Sequence, residues 1–578
     1  MAEEQKATTG PSDEVRSILK QYDDLKSRWT SNWLGIAQEL ADYLHPRRNQ
    51  ISTKNPGIRQ TNKIFKSSPM KALSDLAASI HGALTNPVLR WFKIKMREKP
   101  LNDIPVVRKW LEECSERMYM AFQDSNFDSE IQEVYMDLGA FGIGVLYQEE
   151  KDVESAQFNG FRFQALQIGD YVIAENADGI VDVLYREFDL TPRSAAAKWG
   201  PLALSERTRE MLLTKPEEPI TIVHAVYPNR EGTLLYSKKE KRPWRSVYVE
   251  AEAKHIISTG GYNEFPFMVP RWSKAGREIY GRGPGHNALP DVKTLNRNCE
   301  LRLRALGKIV DPPLIVLDDT VIGSIRLTPG AENTVRQENA IKTLELNPHI
   351  RDALVEEERL VNDIDKLFYN DLLALPDKTI ITAAEVERRV QQIQQKLGPT
   401  IGRLSSELLT KLIERSFGIM FRSGALPEPP QEVVDAAETM YGEIDIEYEG
   451  PLSRAQRAGE LLSIQRMYEL MVPMAQMKPE VMDIVDEDEV ARRVIRLSGV
   501  PATIERPKER IIEIRQAREA AAAEAEQIEQ VKGLAESGGK AAPLLKAMGA
   551  MAGMNQPGVE GTGEGGVNTA MEQTVPRQ

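Results

Sequence analysis

Cysteine is nearly absent. Cys114 and Cys299 are the only two in 578 residues, too few for a disulfide framework or a cysteine metal site and too far apart in sequence to suggest a redox pair. Both are expected as buried thiols. The six histidines, His45, His81, His224, His255, His286 and His349, include no HxH or HxxxH pair, so no metal centre is expected. No apolar run approaches the roughly 20 residues that a membrane-spanning helix needs, and no membrane insertion is expected. The opening residues, MAEEQKATTGPSDEV, are polar and acidic where a secretory signal would be basic and then apolar, which points to assembly in a cytoplasm.

Catalytic motifs are missing as well. There is no GxSxG. The stretch GLAESGGKAA, from Gly533, misses a P-loop because Lys540 comes one place late, no Ser or Thr follows it and no strand precedes it. The acidic run at Asp483 and Asp486 to Glu489 lacks the glycine turn of a calcium loop, and its place at the start of a helix suits the helix dipole. The expectation is a protein that is not an enzyme and carries no cofactor. A net charge of -12 argues against gripping nucleic acid with the whole surface, since tight binding needs many basic phosphate contacts.

What the chain does have is length and periodicity. At about 150 residues per domain the length suggests roughly three or four structural units. Val15, Ile18, Tyr22, Leu25, Trp29, Trp33, Ile36, Leu40 and Leu44 recur in steps of three and four, which predicts one long amphipathic helix from Ser12 to Leu44. A second helix is expected from Ser68 and Pro69, and two more between Ile104 and about Leu138. The pattern then alternates: GVLYQEE, FRFQALQIGDYVIAENADGIVDVLYREF with its Asp178-Gly179 turn, ITIVHAVYP and RSVYVEAEAKHIIS predict strands.

EIYGRGPGHNALPDVKTLNR, from Glu278, resembles a phosphate loop at first sight. Gly281, Gly283 and Gly285 do not make GxGxxG, however, and Pro284 removes a donor. A glycine hinge admitting a helix with Pro290 near its first turn is the better reading. This helix and its return, from about Pro348 to Phe368, flank a compact insert from Ile309 to about Asn347 with short β candidates. After the break at Pro376 a long helix is expected to run to about Phe421, kinked at Gly398-Pro399. IDIEYEG predicts a strand returning to the earlier sheet, before a last helical unit and a Gly-rich tail from about Met551, expected to be disordered. Arg271, Lys274, Arg277, Arg282, Lys293, Arg297, Arg302, Arg304 and Lys308 form a local basic stripe, read either as a contact surface for nucleic acid or as ion pairs with acids such as Glu300 and Asp291.

FPFMVPRWSKAGREIYGRGPGHNALPDVKTLNR, then DPPLIV, TAAEVERRVQQ, LGPTIGRLSSELLTKLIERSFGIM and GALPEPP, in this order, closely resemble the portal proteins, or head-to-tail connectors, of short-tailed bacteriophages. The likeness runs from about Tyr22 to Ser498. It implies an α+β, predominantly helical subunit with wing, stem, clip and crown, forming a ring of usually about twelve copies around a central channel. By this resemblance residues 1–280 would be N-terminal helices and β-rich wing, 281–308 the first stem helix, 309–347 the clip and 348–370 the second stem helix. Residues 371–382 would be a channel loop, 383–450 the kinked helix and return to the wing, 451–550 the crown and 551–578 the tail. Asp377, Lys378 and Thr379 become channel-loop candidates. Lys293, Arg297, Arg304 and Lys308 become candidates for DNA proximity or subunit contact, and Gly281, Gly283, Gly285, Gly398 and Pro399 are the hinge candidates. The implied partners are double-stranded DNA, a terminase that supplies the ATPase, tail adaptors, and capsid and scaffolding proteins. A non-DNA scaffold of the virion and an ATP-dependent nucleic-acid enzyme are the alternatives.

Overall fold

The computed structural model describes residues 13–52, 63–151, 158–229, 242–317, 321–328, 330–338, 340–344, 350–373, 383–436, 444–448, 451–497 and 508–537. The chain divides into two units, 1–502 and 503–578. The first unit opens with α1 (Asp13–Asn32) and α2 (Leu34–Leu44), not with the single helix that periodicity predicts. The interruption falls at Trp33. Ser31 Oγ and Asn32 Nδ2 donate back to the Ser27 and Arg28 carbonyls, and such side-chain bonds compete with the helical ladder.

Next comes α3 (Ser68–Leu84), with Pro69 in its first turn as expected, followed by β1 (Phe92–Met96), α4 (Lys99–Asp103), α5 (Pro105–Gln123) and α6 (Phe127–Phe141). The strand region follows: β2 (Leu146–Glu150), β3 (Phe161–Ala165), β4 (Tyr171–Glu175), β5 (Val181–Leu190), α7 (Pro192–Trp199), α8 (Glu206–Thr214), β6 (Ile220–Pro228), β7 (Trp244–Glu250), β8 (His255–Tyr262) and β9 (Phe267–Met268). An antiparallel meander joins β4 to β8 in chain order, and β2 sits between β3 and β9 in a second sheet. The strand-centred reading passes over α7 and α8. Their signals are plain in retrospect, because Thr191 and Ser205 accept from the backbone N–H three residues on.

The remaining elements of this unit are α9 (Pro284–Val310), β10 (Leu314–Val316), β11 (Val321–Ile322), β12 (Thr334–Val335), β13 (Ile341–Thr343), α10 (Ile350–Leu367), α11 (Asn370–Leu373), α12 (Ala383–Leu404), α13 (Thr410–Arg422), α14 (Gln431–Ala436), β14 (Ile444–Tyr448), α15 (Pro451–Met477) and α16 (Glu487–Leu497); α17 (Lys508–Ser537) belongs to the second unit. The expected return of β14 to the earlier sheet is not what happens: it pairs antiparallel with β1 in a sheet of two strands. FKIKM against IDIEY sets Lys93 opposite Glu447 and Lys95 opposite Asp445, while Ile94 faces Ile446. Opposite charges across the ladder favour this register.

One large apolar cluster draws on α1 to α3, α5, α6, strands β1 to β9, the first half of α9, α10, α12 and α13. Within it lies a polar group. Asp137 of α6 and His45 at the end of α2 are both buried, with His45 Nε2 3.8 Å from Asp137 Oδ1 and Arg48 Nη2 3.3 Å from Oδ2. Burial pushes the Asp137 carboxyl up to about 7 despite Arg48, and burial, helped by Arg48 and Arg47, pulls the His45 imidazole down to about 4.

The tightest contact is a crossing of backbones. Gly142 ends α6 at φ +75°, where a Cβ would stand 2.3 Å from the Gly283 nitrogen. A Cβ on Gly281 would stand 2.3 Å from the Gly142 carbonyl oxygen, one on Gly283 2.5 Å from that of Leu138, and one on Gly285 2.3 Å from that of Ala140. The segment that leads into α9 therefore rests directly on the end of α6.

Gly283→Ala should lower stability in urea by roughly 1–3 kcal/mol, whereas Gly398→Ala in α12, with open space around its Cβ, should be neutral or stabilising by up to about 1 kcal/mol; equal losses would contradict the crossing. Asp137, raised on folding, contributes stability that is lost as pH climbs through about 7, while His45, lowered on folding, contributes stability that is lost as pH falls from its ordinary range toward about 4. In the window between, the two slopes oppose each other. Asp137→Asn should therefore lose roughly 1 kcal/mol per pH unit relative to the parent as pH falls from about 6.5 to 4.5, and a flat difference in denaturation midpoints over that range would contradict the burial of both groups.

Candidate channel surface

α9 has 27 residues and so spans about 40 Å at the α-helical rise. It begins at Pro284, which fills the first-turn position expected of Pro290; Pro290 lies inside the helix. Gly283 N–H donates to His286 Nδ1 at 3.2 Å. Burial and the neighbouring Arg282 pull that imidazole down to about 4, which keeps it a neutral acceptor. Gly281, Gly283 and Gly285, expected as a hinge, are the residues of the crossing on α6, and this gives each a packing reason to be glycine that needs no motion.

The direction of α9 is set by a charged anchor just upstream. Arg271, counted in the basic stripe by sequence, is 3% exposed. Its guanidinium donates to Glu407 Oε1 at 2.6 Å, to Glu175, and to the Gly179 carbonyl at 3.1 Å, and its own N–H donates to Glu407 Oε2 at 2.9 Å. Lys274 Nζ completes the group at 2.7 Å from Glu175. Glu407 reaches the anchor from a π turn, Ser405–Leu409, between α12 and α13. The expected kink residues Gly398 and Pro399 stay within α12, and the hydrogen-bond register changes six residues past Pro399, at Ser405. Spacing could not reveal this group, since Arg271 and Glu407 stand 136 positions apart.

Along α9 the first half is buried through Ala288, Leu289, Val292, Leu295 and Cys299. Beyond Cys299 the helix packs on α10. Arg302 Nε donates to Glu357 Oε1 at 2.6 Å; burial tends to raise that carboxyl, but the bonds from Arg302 and the Cys299 thiol hold it below its usual range. Lys293 pairs with Glu39 at 3.1 Å, and Arg297 and Arg304 share Glu300 at 2.8 and 2.5 Å. Lys308 is exposed in the last turn. Lys293, Arg297, Arg302 and Arg304 are thus in ion pairs, with Glu300 among the acids as expected.

The outer part of this hairpin also carries uncovered apolar side chains. Leu301 and Leu303 are each 47% exposed and Val310 84%, with Leu354 and Val355 on α10 and Ile315, Leu317, Ile322 and Leu327 in the insert. Leu301 and Leu303 are about 200° apart around the axis, on opposite flanks of α9. In the insert β10 pairs with β13 and β11 with β12, as two antiparallel ribbons. After α10 the chain re-enters the core at Phe368, and Asn370 Nδ2 donates to the Ala72 carbonyl of α3 at 3.0 Å. Asp377, Lys378 and Thr379 lie outside the described residues, in the interval between α11 and α12. No helix among the described residues is long and apolar enough to cross a membrane.

The sequence model of the family described as bacteriophage head to tail connecting protein matches residues 14–504. The portal protein of Salmonella phage epsilon15 is 29% identical over 532 residues, covering 89% of this chain and 93% of the relative. The probable portal protein of Bordetella phage BPP-1 is 28% identical over 521 residues, covering 87% and 91%. A chain in the solved virion of a native gene transfer agent particle aligns over 75% of this chain and 94% of its own length, at 10% identity and a TM-score of 0.33, too loose a likeness to build on. With most of its length matched by the family and by two phage relatives, this chain belongs to the bacteriophage head-to-tail connecting proteins.

Proposed function

We propose that the chain is the subunit of a portal ring at the head-tail vertex of a phage virion, through which double-stranded DNA is packaged and later ejected. The reading rests on family membership, and the observation that carries it physically is the α9–α10 hairpin with apolar side chains uncovered on opposite flanks. A head-to-tail contact uses two different patches of each copy and closes into a ring when the rotation allows. An isolated chain would leave both flanks in water. In the ring, about a dozen copies would each cover a flank of the next.

The charge pattern suits passage. Every strong phosphate contact would be a barrier to sliding DNA, and Lys293, Arg297 and Arg304 each have an acidic partner within the chain. We assign these three and Lys308 to positions near DNA or a neighbouring copy, and Asp377, Lys378 and Thr379 to a loop facing the channel. The insert between α9 and α10 is the proposed platform for terminase during packaging and for tail adaptors afterwards, with α9 and α10 as stem and the flanking segments as wing and crown. Capsid and scaffolding proteins are the further partners, and assembly takes place in the host cytoplasm. The role is structural, and ATP hydrolysis falls to the terminase.

Electron microscopy and mass photometry of the purified protein should show closed rings of about a dozen copies with a central hole; a closed dimer without a hole would contradict the portal reading. Deleting Asp377 to Thr379 should leave those rings intact while reducing the DNA packaged or retained per particle, and an unchanged DNA content would remove the loop assignment.

A further inference from the structure

α15 and α16 line an open groove of about 740 Å³ whose apolar wall is Leu461, Ile464, Tyr468, Val472 and Pro473 from α15 and Val494 from α16. The two helices are fastened by Arg493 Nη2, 2.7 Å from Glu460 Oε1. On the other side of α15, Leu470 is 71% exposed and Met474 58%, in line with the exposed Arg466 at steps of four residues. At about 100° per residue this row lies opposite the groove wall, on the far side of the same helix. α15 therefore has two apolar sides, a concave one roofed by α16 and a convex one with no described cover.

We propose that the ridge Arg466, Leu470, Met474 of one copy seats in the α15–α16 groove of the next copy around the ring. This inference rests on the ring reading above and names a contact between its members. Three features select a second copy as the occupant. A row of side chains four apart is the ridge that packs into a groove between helices. Ridge and groove lie on the same stretch of α15, so the step from one copy to the next needs no sliding along the helix, as a closed head-to-tail ring requires. The charges also match: Arg466 flanks the ridge, and Glu469 stands at the rim of the groove that would receive it. Burying Leu470 and Met474 would remove the two largest apolar exposures among the described residues of α15, and repetition around a ring multiplies that gain.

The test uses the full-length protein with Leu470→Cys on the ridge and Val472→Cys in the groove, treated with a short bismaleimide. The native Cys114 and Cys299 are buried and should react little. The helix itself stands between the two new thiols of one copy, so bridging within a chain is disfavoured. The double variant should give a denaturing-gel ladder from dimer up to the full ring, and either single variant should give none. Arg466→Glu in the double-cysteine background should weaken the ladder several-fold, with recovery on adding Glu469→Arg. Rings seen by microscopy without a ladder would overturn this contact and leave the ring reading standing, and a ladder that stops at dimer would overturn the head-to-tail geometry. A protein that forms no oligomer at all would overturn the ring reading and the contact with it.

Discussion

The structure depends on answering one buried charge. Placing the Arg271 guanidinium where it is 3% exposed would cost several kcal/mol if it were left alone. Glu407 and Glu175 remove that penalty, and each comes from a different part of the chain: Glu175 from the end of β4 and Glu407 from the π turn between α12 and α13. A π turn inserts a residue into the helical register and is often found where a side chain must be re-aimed. Here it accompanies a carboxylate that accepts from both the Arg271 guanidinium and its backbone N–H. The meander, the connector into α9 and the long helix are thereby tied at a single point.

From that point the path of α9 follows. Ten residues after Arg271 the connector lies on the end of α6, close enough that no Cβ fits at Gly281, Gly283 or Gly285 without displacing backbone. Anchor and crossing together define where the helix leaves the core. The first half of α9 is then held by apolar burial, and its second half is held by α10, including the Arg302–Glu357 pair. A helix hairpin built in this way has a firm base and an apolar exterior that the chain itself leaves uncovered.

The distribution of charge serves the same end. Acid exceeds base overall, and Lys293, Arg297, Arg302 and Arg304 of α9 are paired to Glu39, Glu300 and Glu357, which lowers the net positive field this helix would present to a polyanion. The more exposed pairs to Glu39 and Glu300 contribute little stability, so their consequence lies more in electrostatic balance than in folding, whereas the Arg302–Glu357 pair, with Glu357 buried, also fastens α9 to α10. The buried Arg271 group is the opposite case, where pairing is a condition of the fold.

Some of this was legible in the sequence. The periodicity of α3, α5, α6 and α10, the alternation and Asp178-Gly179 turn of the β4–β5 hairpin, and the small insert between two helices are local patterns, and local patterns survive in a one-dimensional reading. The ordered motifs were enough to indicate the family. Where the sequence misled, long-range contacts had decided the outcome. FKIKM alternates like a strand, but its partner IDIEY lies about 350 positions on, so neither the pairing nor the two-stranded sheet could be read locally. Arg271 looked like one more base in a stripe until Glu175 and Glu407 were brought to it. At Gly281, Gly283 and Gly285, around the start of α9, sequence shows that side chains are missing without showing what occupies their space. Composition and periodicity determined which segments could be helix or strand; only tertiary structure decided which charges are buried, which backbones touch and which apolar faces remain exposed, because those depend on residues hundreds of positions apart meeting in space.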